Sequence, residues 1–157
     1  MGTTMGMVLA FAIGLTVMAG SALPVSAAWE EAQGCTVGYW KQRANLASWG
    51  ATGYSPIDKF SAVFRAKTFP GLTLRQVLRQ PGSSKLRALG REAVAGLLNS
   101  ASPDIFYALR TMGERKTEPV EVKVLFRRGI QKGLVNRRYL AFKAANGAGC
   151  PLTAATP

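Results

Sequence analysis

The sequence predicts an all-α fold: a compact bundle of five or six short helices closed end to end by one disulfide. Three observations carry that expectation. Apolar residues recur at helical spacing through most of the chain. Gly and Pro cut the pattern into short pieces. Two cysteines, Cys35 and Cys150, bracket nearly everything that follows an apolar, uncharged N-terminal segment.

The elements follow in order. Ser55-Pro56-Ile57-Asp58 is a helix start, with Ser as cap, Pro in the first turn and an acid three residues on; Phe60 and Phe64 then share one face. Thr73 caps a helix from Leu74 to Gln80, with Leu74, Val77 and Leu78 inward and Arg75 and Arg79 outward, and Pro81-Gly82 ends it. The longest helix runs from Lys85 to Ser100 on a stripe of Leu86, Leu89, Ala93 and Leu97, widened by Val94 and Leu98. Its Ala88, Gly90, Ala95 and Gly96 would admit another helix at close range. Ser102-Pro103-Asp104 opens a further turn bearing Phe106, Tyr107 and Leu109. Val120, Val122 and Val124 alternate with polar residues as a strand does. Thr117-Glu118-Pro119 and the stripe Val122, Leu125, Phe126, Gly129 and Ile130 favour a helix instead. The last helix, Val135 to Ala145, packs Tyr139 and Phe142 before Asn146-Gly147 delivers the chain to Cys150.

Met1 to Ala27 has the layout of a secretory signal. Its apolar core, Met7 to Gly20, meets Pro24, and both Val25-Ser26-Ala27 and Ser26-Ala27-Ala28 place small residues where a signal peptidase reads. The segment before the core has no Lys or Arg. A transmembrane anchor is the rival reading, but the run falls short of the ~20 residues a bilayer needs and no basic stop follows it. The expected organisation is a signal peptide over 1–27, one helical domain over 28–150 and a loose tail over 151–157. The expected location is secreted, extracellular or periplasmic, with no membrane span in the mature chain. In such a compartment two thiols can be oxidised and kept so. A bridge closing a loop of roughly 100 residues would contribute about 4–5 kcal/mol; two independent buried thiols are the alternative.

The chain carries 20 basic and 8 acidic residues, a formal net charge of +12, and no His. The leader holds none of these charges, so the excess falls on the exported domain. A surface this basic draws polyanions over long range. The partners expected are a cell-surface or matrix component, an anionic glycan, an acidic protein or a second copy of the chain. Nucleic acid enters only if export fails, and no cofactor or metal is expected. A merely solvated basic surface is the bland alternative.

Gly34-Cys35-Thr36-Val37-Gly38-Tyr39-Trp40-Lys41 is the most distinctive string. Tyr39 and Trp40, with Trp49 and Tyr54 soon after, could form an aromatic platform for sugar rings flanked by Lys41 and Arg43. The competing reading, that these rings cover the disulfide and fill one end of the core, is favoured because large aromatics in a small domain are usually core. The string resembles the opening of a bacterial secreted domain of the G-C-T-x-G-Y-W-K type. In that domain a Trp and Gly-Tyr segment follows, then an A-V-A-x-L-L-N helix and a closing cysteine before Pro-Leu. The matching pieces here are Trp49 to Tyr54, Ala93 to Asn99 and Asn146 to Leu152. The family pattern has Pro where this chain has Val37. The resemblance spans almost the entire mature chain; it implies export and a paired Cys35 and Cys150, and supplies no mechanism.

Basic residues three or four apart share a helix face. Arg87 and Arg91 do so beside Lys85; Lys123 with Arg127, and Arg128 with Lys132, do so before Arg137 and Arg138. Such faces can grip phosphates or carboxylates, Arg in a two-pronged manner. Catalysis is the weaker reading. Without His, the Ser–His and Cys–His systems are excluded, and no GxSxG, S-x-x-K or phosphate-cradling Gly loop occurs. A carboxylate pair would remain, with Glu92 its first candidate. The expected function is therefore a non-catalytic structural or interaction module of the cell surface or matrix. A binder of anionic glycans or other extracellular polyanions is the alternative, and a small carboxylate hydrolase a distant third.

Overall fold

The structure, a computed structural model, describes residues 1–2, 31–110 and 115–152. The proposed leader from residue 3 onward, its cleavage point and the tail beyond Leu152 lie outside the described residues. Six α-helices and one 3-10 helix are present among them: α1 Val37–Lys41, the 3-10 helix Ala44–Thr52, α2 Phe60–Phe64, α3 Leu74–Leu78, α4 Lys85–Ala101, α5 Pro119–Gln131 and α6 Val135–Asn146. There is no strand among the described residues; two isolated bridges, Gly34 with Gly149 and Lys59 with Thr73, tie distant segments together.

α4 is the axle of the bundle. Every residue from Ala93 to Ser100 is buried, and α1, α3, α5 and α6 all pack on it. Its two glycines are met by side chains rather than by the backbone of another helix. A side chain at Gly90 would collide with the Phe69 ring, and one at Gly96 would meet the Tyr107 hydroxyl and Phe142. Leu86, placed on the stripe by its spacing, is instead exposed, because the first turn of α4 projects past the elements that cover the rest.

Capping sets several boundaries. Thr73 and Gln76 exchange bonds at the start of α3, Gln76 N donating to Thr73 Oγ1 at 3.2 Å and Thr73 N to Gln76 Oε1 at 2.8 Å. Pro119 opens α5 at the position where its missing N–H is harmless. The valine alternation ahead of it is resolved as helix. Val122 is buried with Leu125, Phe126 and Gly129, while Val120 is exposed.

Two expected elements differ. α2 begins at Phe60, not after Ser55, because the backbone at Lys59 is extended to pair with Thr73. Asp58 therefore serves a turn rather than a helix, its Oδ2 accepting from Ser55 N at 2.8 Å. After α4, Ser102 to Leu109 forms one turn and then an irregular run in which Ile105, Tyr107 and Leu109 are buried. Tyr107 O accepts from Thr117 N at 2.7 Å and Phe106 O from Gln33 N at 2.9 Å, which ties the run to two distant segments. Leu152, assigned by its sequence to the loose tail, is half-buried and packs on the core.

Candidate functional site

Cys35 and Cys150 form a disulfide across 115 positions, with Cα atoms 4.3 Å apart. Cys35 is buried and sits in a polar knot centred on Asn99 of α4. Asn99 Oδ1 accepts from Cys35 N and from Trp40 Nε1, both at 2.9 Å. Its Nδ2 donates to Cys35 O and to Asn146 Oδ1, also at 2.9 Å. Asn146 Nδ2 then donates to Glu92 O at 2.9 Å and Glu92 Oε2 at 2.8 Å. One buried amide thus joins the N-terminal cysteine, α1, α4 and α6. Asn99 closes the sequence string that begins at Ala93 and Asn146 opens the one that ends at Leu152, yet nothing in their spacing marks them as partners.

The aromatic platform is not present as a surface. Trp40 is 0% and Trp49 1% exposed; their rings meet edge to face with centroids 6.3 Å apart, and Trp49 Nε1 donates to Trp40 O at 3.3 Å. They are drawn inward because each indole N–H finds an acceptor in the core. Tyr39 and Tyr54 are half-buried, with Tyr39 Oη bonded to Ser48 Oγ at 2.9 Å and Tyr54 beneath the Lys123 ammonium, 5.9 Å from its ring centre.

The α5–α6 cations divide in the same way. Arg127 Nη1 donates to Phe64 O at 3.0 Å, capping the end of α2, and Lys123 is held by Tyr54. Arg138 lays its stem over Gly129. Arg128, Lys132 and Arg137 remain exposed. Of the six cations named for the predicted patch, three therefore remain outward.

A different set of cations converges. Lys41 closes α1, Arg43 precedes the 3-10 helix, Arg75 on α3 and Arg79 at its C-terminal cap lie four apart, and Arg91 reaches in from α4. All five line one cleft of about 1250 Å³, with Val37, Leu46 and Leu78 as its apolar lining. The cleft arises because α1 and α3 both pack on α4 and touch each other, leaving a concavity along their shared edge. Arg91 Nη1 donates to Gln80 O at 3.0 Å and Gly82 O at 3.1 Å, fixing the rim turn; Arg87 steadies the same turn through Pro81 O at 3.4 Å. Among the described residues, no acidic or aromatic one lines this cleft. Arg115 and Glu121 make the one ion pair among the described residues; the Arg115 hydrogen bond holds the Glu121 carboxyl below its ordinary range.

Of the cations expected to bind anions, Lys41 and Arg91 belong to this cleft; Arg43 enters the sequence reading only beside the aromatic platform, and Arg75 and Arg79 only as the outward face of α3. The i,i+4 spacing of Arg75 and Arg79 was the available signal, the same one that singled out Arg87 and Arg91. What the spacing lacks is concavity. Glu92, the first candidate acid, has its carboxylate in the knot with Asn146. No group of three or more His, Cys, Asp or Glu able to hold a metal ion occurs among the described residues. No helix among them is long and apolar enough to cross a membrane. Comparison with protein families, with curated proteins and with solved structures finds no match for this chain.

Proposed function

We propose that the chain is an exported, non-catalytic binding module that takes extracellular polyanions in the cleft between α1, α3 and α4. The observation that carries this reading is the convergence of Lys41, Arg43, Arg75, Arg79 and Arg91 on one concavity with no acid among the described residues of its lining. Like charges crowded without a counter-charge repel one another and raise the local concentration of anions. Four of the five are arginines, whose planar fork grips phosphate, sulfate or carboxylate through paired bonds. With no aromatic ring in the lining, stacking on neutral sugars or bases is not what this cleft offers; it reads charge. Export is supported by the leader pattern and by the Cys35–Cys150 bridge, which persists in oxidising compartments. The broader reading of a surface or matrix interaction module accommodates the same cleft.

Inorganic polyphosphate is a suitable probe. Arg43→Gln with Arg79→Gln, both exposed in the free chain, is expected to lower its affinity by about tenfold to a hundredfold, since two solvent-exposed charge contacts of about 1 kcal/mol each are lost. Arg128→Gln, Lys132→Gln and Arg137→Gln together are expected to change it by less than about threefold, since exposed and separated cations act mainly through screened long-range attraction. Equal losses in the two variants would mean that only net charge matters, and the cleft reading would fall.

A further inference from the structure

The far side of α3 carries a second groove, about 540 Å³ in volume, walled by Pro56, Ile57, Leu72 and Pro81. It shares Arg75, Arg79, Gln80 and Pro81 with the cationic cleft, so the two concavities meet along one ridge. Ile57 is 77% exposed, the most exposed large hydrophobic after Met1 among the described residues. An apolar side chain held that far into water, on a groove that shares Arg75 and Arg79 with the cleft, sets the two elements of interfacial binding side by side.

Its position is enforced. Asp58 Oδ2 accepts from Ser55 N at 2.8 Å and Asp58 N donates to Ser55 O at 3.1 Å, which closes the turn that presents Ile57. Leu74 N donates to Asp58 O at 2.8 Å and Arg75 N to Pro56 O at 3.2 Å, fastening that turn to the start of α3. Ile57 and the α3 arginines are therefore carried on one unit, and an approaching surface meets both. On the ridge, Arg75 Nε and Gln80 Oε1 are buried with no hydrogen-bond partner among the described residues.

Resting on the reading of the cleft given above, we infer that its ligand is an anionic lipid surface, with lipid phosphates among Arg75, Arg79 and Arg43 and Ile57 entering the acyl boundary. A soluble polyanion would use the cations and leave Ile57 in water. A lipid headgroup with its chain attached uses both, and stable surface binding takes the two signals together, apolar insertion and attraction to anionic headgroups.

The test compares wild type and variants of the full chain, so that the N-terminal apolar segment is common to all. Ile57→Ser is expected to lower affinity for vesicles of phosphatidylglycerol and phosphatidylcholine by about tenfold, the loss set by withdrawing one large aliphatic side chain from burial, while leaving inorganic polyphosphate affinity unchanged. Both native cysteines are in the bridge, so Ile57→Cys accepts a single environment-sensitive fluorophore. Its emission is expected to shift to the blue with these vesicles, to stay unmoved with polyphosphate, and to lose the vesicle response in the Arg43→Gln, Arg79→Gln background. Intact polyphosphate binding with no effect of Ile57→Ser on vesicles and no blue shift overturns the lipid inference and leaves the cleft reading standing. A shift that survives loss of the two arginines also overturns it. Failure of wild type to bind polyphosphate at all removes the cleft reading, and the inference goes with it.

Discussion

At Asn99 each polar group of the side-chain amide meets a partner inside the chain, whereas at Arg43, Arg75 and Arg79 the guanidinium groups gather around open space with no carboxylate among the residues that line it. Both regions are polar, and both draw on elements far apart in sequence. They differ in where their hydrogen-bonding capacity ends. The knot closes on itself in a buried setting, where an unmet donor or acceptor is costly, so it specifies how α1, α4 and α6 join. The cleft leaves its capacity facing outward, where water tolerates it and an anion exploits it. The comparison predicts a double separation: damage to the knot lowers stability and spares binding, and damage to the cleft does the reverse.

The largest effect is expected from the covalent part of the knot. Cys150→Ser removes the constraint on a loop of 115 positions and is expected to lower the unfolding free energy by about 4–5 kcal/mol on the chain-entropy account. Urea unfolding of the two proteins measures this. Polyphosphate affinity of the protein that remains folded is expected to be unchanged, because Cys150 contributes nothing to the lining of the cleft. A matched loss of affinity in folded Cys150→Ser would join the two regions into one.

Next comes Asn99→Ala. It strands Cys35 N and O, Trp40 Nε1 and Asn146 Oδ1 in a buried site, with an expected cost of about 3 kcal/mol, given about 1–3 kcal/mol per orphaned group and incomplete additivity. The counterpart, Arg79→Gln, is expected to move stability by no more than about 0.5 kcal/mol, as exposed substitutions do. Thermal unfolding of both variants decides the matter, and a larger destabilisation by Arg79→Gln than by Asn99→Ala would break the comparison.

How far each region was legible in the sequence follows from the same distinction. Periodicity located α4, α5 and α6 within a residue or two, because one buried face on a helix writes itself at intervals of three and four. Thr73 announced α3 through its cap. α2 was shifted by a long-range backbone pairing, Lys59 with Thr73, that local rules cannot see. The knot hid for a related reason: Asn99 has a helical residue's spacing, and its partners at 35, 40 and 146 are distant in sequence. The basic helices drew attention because their charges are dense along the chain, yet Lys123, Arg127 and Arg138 turn out to serve Tyr54, Phe64 and Gly129. The cleft was obscure because its five cations come singly or in pairs from different elements. Charge density in sequence marks a face, and only packing makes a concavity.

The smallest expected effect sharpens the boundary between the regions at Glu92, which adjoins Arg91 in sequence and bonds to Asn146 in the knot. Burial raises its carboxyl above the ordinary 4.5, outweighing the lowering effects of the Asn146 hydrogen bond and of Lys143 and Arg91. An acid whose folded value is raised holds its proton more tightly when folded. Its contribution to stability is complete below the ordinary value and is lost as pH rises through the raised one. Glu92→Gln retains a carbonyl to accept from Asn146 and cannot ionise. The variant is therefore expected to match wild type at about pH 4 and to be modestly more stable at about pH 7, flattening the pH profile between them. Urea midpoints at the two pH values measure it. A variant less stable than wild type at neutral pH would mean that the ionised carboxylate is a net support of the knot, with its bond to Asn146 outweighing the cost of burial. Unchanged polyphosphate affinity in the same variant would assign Glu92 to the knot alone, because a carboxylate that tempered the cleft would strengthen anion binding when removed.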